Sequence, residues 1–440
     1  MTSVRSWSRT AVAILALATA VGCSSDSGDG GPKPGGLDRV DEAPSLKPLT
    51  LAPTPLWTGA VAFPDFHPDS VGLHGDAAVL ASQNRLVVAD LANGRQRWAY
   101  KKNEPLRGGA GATFQDYADE PVLADPPPPP VVGRDGDWSV LGLYEHRFCP
   151  WAPDCTPEQR DKTDEFGLAA LSGRDGTIRW KFPFVPTRSK REGATVTLNE
   201  QYPLRADDRT AAIGYKRDGV VRMAAVDAAT GAKLWETDAV RPAAIAGDVV
   251  LAYRVVPNSD DPGPVVAFDR TTGQQRWEAQ GRPLKSPTLQ VVNGAVLIPI
   301  DDGPQRQHAV VVDTRTGERV ADLDPDGGML SLNCVGDRET LLACTVMRPD
   351  GDLLTSFRTD ERKARVSTKA VPGYQKPEGA WRGMVFLADI HAKGDKPIAV
   401  DRSANPLGAA LPGVPLAVSD QHVVFDVGGA TGIAVYRRSP

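Results

Sequence analysis

Asp322, Asp324 and Asp326 stand at alternate positions ahead of Gly327. That spacing opens a calcium loop, in which alternate carboxylates converge on one cation. The continuation departs from such a loop. Asn333 fills the position that wants a bidentate Glu, and Pro325 stiffens a segment that would have to wrap the ion, so the stretch reads as an exposed turn. Six histidines (His67, His74, His146, His308, His391, His422) show neither HxH nor HExxH spacing, which argues against zinc. The chain has no GxSxG elbow and no phosphate-cradling GxxxxGK[ST], which removes the simplest hydrolase and nucleotide readings. These patterns assign no catalytic residue, no cofactor and no metal ligand.

The cysteines say more. Arg5 and Arg9 precede an apolar run at 11–21, and the small residues Ala20-Val21-Gly22 lead into Cys23. Eleven residues are too few to cross a bilayer core as a helix, so 1–22 reads as a signal peptide. A cysteine directly after the small residues resembles a lipobox, with Ala20 where Leu is usual. On that reading Cys23 becomes the lipidated, palmitate-bearing N-terminus and holds the chain at the extracytoplasmic face of a membrane. An ordinary secretory signal with an incidental cysteine is the alternative. Residues 23–48, rich in Ser, Asp, Gly and Pro and without aromatics, read as a flexible tether, and 49–440 as the folded part. Outside 1–22 no stretch is long and apolar enough for a transmembrane helix.

Four cysteines remain: Cys149, Cys155, Cys334 and Cys344. An even number outside the cytoplasm favours disulfides, and four cysteines allow three pairings. Local pairing is simplest: Cys149–Cys155 would staple a loop, and Cys334–Cys344 would flank a turn at 335–339.

Lys and Arg number 50 against 55 Asp and Glu, a net charge of −5. Losing Arg5 and Arg9 with the signal makes it −7. A mildly acidic chain argues against nucleic acid, which needs clustered cations. The one basic run, 188–191, reads as a solvated loop.

These residues must be carried by repeats. Five stretches share one pattern: LVVADLANGRQRW at 86–98, LAALSGRDGTIRW at 168–180, MAAVDAATGAKLW at 223–235, VVAFDRTTGQQRW at 265–277 and AVVVDTRTGERVA at 309–321. Each is an apolar run, then Asp (Ser172 in the second), then Gly four residues on; in four, Trp follows four residues after the Gly. The β-branched run suits a strand buried on both faces. The Asp suits a turn whose backbone amides it accepts from, and the Gly accepts a positive φ. Upstream of each copy lies another strand candidate, so a unit is about four antiparallel strands. Continuing the spacing reaches 352–357, Asp401 and a last apolar strand at 432–436, which makes eight units. The eighth lacks an outer strand, and the strand around Trp57 lacks a unit, so the two should complete each other. The second unit is lengthened by 145–165, which holds one cysteine pair, and carries a polyproline run at 126–130 between its first two strands. Trp138 and Trp381 do not fit the pattern; either packs in the core or lines a binding surface.

The pattern A-x-D-x-x-T-G-x-x-x-W, sharpest at Asp227…Thr230-Gly231…Trp235 and Asp269…Thr272-Gly273…Trp277, resembles the tryptophan-docking motif of the PQQ-like β-propeller repeat superfamily. The resemblance implies an all-β, eight-bladed propeller of four-stranded antiparallel blades, closed by the N-terminal strand; seven blades is the other count weighed. It implies that Trp57, Trp98, Trp180, Trp235 and Trp277 dock neighbouring blades. The quinoprotein dehydrogenases among the relatives add adjacent cysteines, carboxylate-binding cations and a calcium ion. Here the nearest cysteines are Cys149 and Cys155, and no calcium-ligand set matches. The expected function is therefore a monomeric, lipid-anchored, non-catalytic scaffold that binds a protein or envelope polymer, with 145–165 and the polyproline run as contact surface. The alternatives are a quinoprotein-like enzyme or a small-ligand sensor using the central channel.

Overall fold

The computed structural model describes residues 38–40, 46, 48–63, 66, 68, 70–82, 85–109, 112–116, 130–134, 136–146, 156–157, 165–184, 196–197, 204–257, 259, 262–281, 283–284, 289–301, 307–323, 329–347, 351–371, 375–389, 396–428 and 432–439. Leu37–Pro440 forms one compact unit. The expected signal and lipidation site, including Cys23, lie outside the described residues, as do Cys149, Cys155, 188–191 and 324–327.

The chain opens with β1 (Asp38–Val40), β2 (Trp57–Thr58) and a one-turn helix, α1 (Gly59–Ala62). Blade one is β3 (Ser70–His74), β4 (Ala77–Ser82), β5 (Arg85–Asp90) and β6 (Gln96–Lys101). Blade two is β7 (Ala112–Asp116), β8 (Val131–Arg134), β9 (Asp137–His146), β10 (Glu165–Ser172) and β11 (Ile178–Pro183). Blade three is β12 (Val196–Thr197), β13 (Leu204–Ala206), β14 (Thr210–Arg217), β15 (Val220–Asp227) and β16 (Lys233–Asp238). Blade four is β17 (Val240–Ala246), β18 (Val249–Val255), β19 (Pro262–Asp269) and β20 (Gln275–Glu278). Blade five is β21 (Gln290–Val292), β22 (Ala295–Asp301), β23 (Gln307–Asp313) and β24 (Arg319–Asp322). Blade six is β25 (Met329–Gly336), β26 (Leu341–Met347), β27 (Leu353–Arg358) and β28 (Lys363–Ala370). Blade seven is β29 (Gln375–Trp381), β30 (Met384–Asp389) and β31 (Ile398–Val400). Blade eight is β32 (Val414–Val418), β33 (His422–Gly428) and β34 (Gly432–Arg437).

Eight separate sheets result, the eight-bladed propeller expected from the repeats. First strands of consecutive blades touch: β13 with β17, β17 with β21, β21 with β25, β25 with β29, β29 with β32, and β32 with β3. The first strands are therefore innermost, and the contact of blade eight with blade one closes the ring. The latch is β2, which pairs antiparallel with β34 in the register Trp57↔Val435 and completes blade eight. Closure leaves only short sheet edges, which limits edge-to-edge aggregation.

Each sheet is sandwiched between its neighbours, so its middle strands are buried on both faces. Ala77, Ala78, Val79, Leu80 and Ala81 of β4 are all 0% exposed, a continuous run without strand alternation. The cores lie between blades; one joins Val79 and Trp98 of blade one to Val140 and Leu171 of blade two.

Three sequence expectations are corrected. The stretch 23–48 is not tether throughout: β1 runs parallel to β28 (Asp38↔Arg365), and Leu46 packs on the core that contains buried Leu49. The polyproline run does not separate two neighbouring strands. It lies between β7 and β8, which both pair with β9 and are two halves of one innermost strand. Blade seven has three strands among the described residues, because the chain after β31 forms a bridge, Val400↔Pro406, in place of a fourth strand.

Candidate binding face

Antiparallel alternation puts the first-to-second and third-to-fourth turns of every blade on one side of the ring. We call this the turn face, and the other side, where the longer connections run, the loop face. On the turn face one peptide unit per blade joins three parts. Asp227 shows how it is placed: its Oδ1 accepts from the amides of Ala229 and Thr230, and its carbonyl accepts from Gly231 N–H at φ +72°. That geometry fixes Ala228 between them. Ala228 N–H then donates to Arg209 O in the first-to-second turn, while Ala228 O accepts the indole N–H of Trp180 from the preceding blade at 3.1 Å.

The same arrangement recurs around the ring. Trp57 Nε1 donates to Leu91 O, Trp98 to Gly173 O, Trp235 to Arg270 O and Trp277 to Thr314 O, at 2.8 to 3.1 Å. In every case the acceptor follows the motif Asp or Ser by one. Each ring also lies flat on the motif Gly of the next blade. A Cβ built on Gly94, Gly176, Gly231, Gly273 or Gly317 would stand 2.6 to 3.0 Å from an indole carbon. The Gly is therefore needed for its positive φ and for the close approach. The five indoles are between 1% and 8% exposed. At about 25 cal/mol per Å² each buries roughly 4–6 kcal/mol of transfer free energy, an upper figure.

Blades five to seven depart from this together. Blade five has Ala321 in the Trp position, and the turn it would meet in blade six carries Arg362 (φ +51°) where Gly stands elsewhere. Blade six has Val366, and blade seven answers with Asn405. Without an indole there is room for a side chain. Ions bridge these junctions: Arg362 reaches back to Asp313 at 3.9 Å, and buried Arg402 bonds Glu361.

Cys334 and Cys344 form a disulfide directly across β25 and β26. Among the described residues no group of three His, Cys, Asp or Glu could hold a metal, and no helix is long and apolar enough to cross a membrane. Trp138 is buried, with His74 tilted 4.9 Å from its ring. Trp381, at the end of innermost β29, is half-buried under the Arg438 guanidinium at 3.9 Å, with that of Arg382 at 5.1 Å.

The polar groups of blades six to eight were invisible as a set in the sequence. Asp337 is buried and wholly used: its Oδ1 accepts from Glu339, Thr340 and Leu341 N–H, and its Oδ2 from Gly383 N–H in blade seven. Arg382 bridges Asp420 at 2.8 Å and Glu339 at 3.9 Å. Arg438 donates to the carbonyls of Ser419 and Asp420. Burial lowers the Arg438 pKa and nearby Arg382 lowers it further, while Asp420 opposes both. Burial also lowers that of His422, helped by Arg437.

Residues 164–333, from the edge of β10 into β25, match the family described as outer membrane protein assembly factor BamB. They contain three of the five docking tryptophans. Over that stretch, less than half of the chain, the sequence is similar to PQQ-like repeats. No curated protein matches it. Among solved structures, BamB from Moraxella catarrhalis is 16% identical over 84% of each chain, with a TM-score of 0.37. The quinohemoprotein alcohol dehydrogenase from Comamonas testosteroni is 13% identical over 91% of this chain and 78% of its own, at 0.44. The computationally designed Ika8 protein is 13% identical over 89% and 100%, at 0.45. Similarities this distant carry no argument about activity. The propeller here is latched by five indoles on the turn face, and departs from that pattern where blades five to eight meet.

Proposed function

We propose that this propeller is a non-catalytic binding module, a monomer anchored by lipid on Cys23 at the extracytoplasmic face of a membrane, that presents its loops to a protein partner. The supporting observation is the match of 164–333 to a family described as an assembly factor. The lipobox-like Ala20-Val21-Gly22-Cys23 supports the anchor. A stiff ring suits the role, because it holds many independent loops in fixed geometry and function on such scaffolds sits in loops. The proposed path is signal removal after Gly22, acylation of Cys23, and a short spacer before β1. Cys149 and Cys155 are proposed to form a second disulfide within 147–164.

Two measurements test this reading. An alkyne-tagged palmitate analogue fed to cells should label the wild-type chain and leave Cys23→Ala unlabelled; equal labelling would refute the anchor. Crosslinking in intact cells should capture a defined protein. Reconstitution with the quinone and calcium that instead gave a stoichiometric chromophore and dehydrogenase activity would overturn the binding-module reading.

A further inference from the structure

The inner rim of the turn face carries charges of both signs. Blades one to four place Asp76, Asp137, Asp208 and Asp248 there, all exposed, with Arg97, Arg179 and Arg209 paired to Asp76, Asp137 and Asp248. Blades six and seven bring Arg338 and Arg382 into adjoining turns, and Arg438, bridged to Leu51 just after β34, lies beside the blade-eight turn at 419–421. Against these three cations stand two solvent-facing carboxylates, Glu339 and Asp420, since Asp337 is consumed by four amides.

Arg338 is the odd one. No carboxylate pairs with it among the described residues. Its side chain is open to solvent, yet desolvation lowers its pKa with nothing opposing. Its turn lies between innermost β25 and β26, so it borders the ring's central opening. Its turn is also fixed on both sides, by Asn293 N–H donating to Glu339 O and by Gly383 N–H donating to Asp337.

The backbone supplies a second, independent observation. Arg338 (φ +65°) and Arg382 (φ +46°) sit in the left-handed region. The equivalent turns of blades one, four and five use Gly75, Gly247 and Gly294 for that conformation. A non-glycine residue there costs about 1 kcal/mol or more, and such strain gathers at functional sites. Two arginines held where glycine would relax point to a use for their side chains.

We infer that this sector of the turn face docks an extended acidic peptide segment of the partner, with Arg338 forking a carboxylate and Arg382, Arg438 and Trp381 flanking it. The inference rests on the binding-module reading above. A planar guanidinium matches a carboxylate in two parallel hydrogen bonds. The cations are spread over three blades, with Glu339 and Asp420 between them. That spacing suits a chain with carboxylates at intervals and amides to donate to the two acids; it repels a polymer charged at every unit.

Random peptides displayed on phage and selected on the full chain test this. Enrichment of Asp and Glu is expected, with affinity falling about tenfold in Arg338→Gly, the loss of one charged hydrogen-bonded pair. The glycine suits φ +65°, so the unfolding midpoint of that variant should not drop, which separates lost binding from lost fold. Arg315→Ala, in a blade-five turn outside the sector, should bind as wild type. Selected peptides without acids, unchanged affinity in Arg338→Gly, or stronger competition by polyphosphate than by the peptide would each overturn the inference. If crosslinking still captured a protein in those cases, the binding-module reading would survive without this docking site.

Discussion

Gly273→Ala puts the latch to a quantitative test. Its new Cβ would lie 2.7 Å from Cγ and Cδ2 of Trp235, at a φ of +71°. The left-handed backbone alone costs about 1–2 kcal/mol. The indole is 8% exposed and tied by its N–H to Arg270 O at 2.8 Å, so it cannot step aside cheaply. Overpacking adds about 1–3 kcal/mol, for a total near 2–5. Gly219→Ala is the matched control: φ is +80° and nothing lies within 4 Å, so only the backbone cost applies. Trp235→Ala should cost about 3–5 kcal/mol. Once the ring is gone the two 2.7 Å contacts vanish and only the retained Cβ of residue 235, at 3.0 Å, is left, so the double variant should cost about 1–3 kcal/mol less than the two singles together. Denaturant unfolding followed by far-ultraviolet circular dichroism reads all four. If Gly273→Ala cost no more than Gly219→Ala, or the pair were additive, the account of the Gly as the seat of the indole would fail.

Other expectations follow from the same geometry. Replacing Cys334 and Cys344 by Ser removes a link across 10 positions of sequence, which should cost about 2–3 kcal/mol in the same unfolding assay. Burial would raise the Glu236 pKa, but hydrogen bonds from Tyr215, Arg222 and Lys233 and the charge of Arg217 outweigh it and hold it at about 2. A depressed folded value gives stability present above the ordinary 4.5 and lost as pH falls towards 2, so Glu236→Gln should flatten the stability profile between pH 5 and 2. The ionic junctions should be salt-sensitive where the indole ones are not: raising salt should speed amide exchange in 375–400 more than in 240–278. Equal protection at all salt concentrations would count against the ion pairs as latches.

Most of the architecture could be read from residue pattern because the motif is the mechanism. Asp, Gly and Trp at fixed spacing are the turn, the seat and the wedge, so blades one to five announced themselves. Blade six faded because its losses are coupled: once Ala321 replaced the ring, Arg362 was free to replace the Gly it would have covered. Trp57 was legible as the closing strand because an indole without a unit of its own needs a neighbour's turn, and Leu91 O supplies it. β1 was not legible, since three residues set no period and their pairing is with a strand more than 300 positions away. The split innermost strands of blades two and three were hidden for a similar reason: an insertion within a strand looks the same as a loop between two. The arginine sector was the least visible of all. Arg338, Arg382 and Arg438 share no local pattern, and only the closing of the ring sets them side by side.

The connections differ in length from one side of the ring to the other. First-to-second turns stay short, as at 75–76, 247–248 and 382–383, whereas opposite them the chain takes 147–164 between β9 and β10 and 279–289 between β20 and β21. A residue added beside an indole seat would shift the carbonyl that anchors the adjoining wedge. One added on the far side disturbs no such anchor. Descent with modification has in effect been given a fixed side and a free one, and new recognition can be grafted onto the free side without re-engineering the frame that carries it.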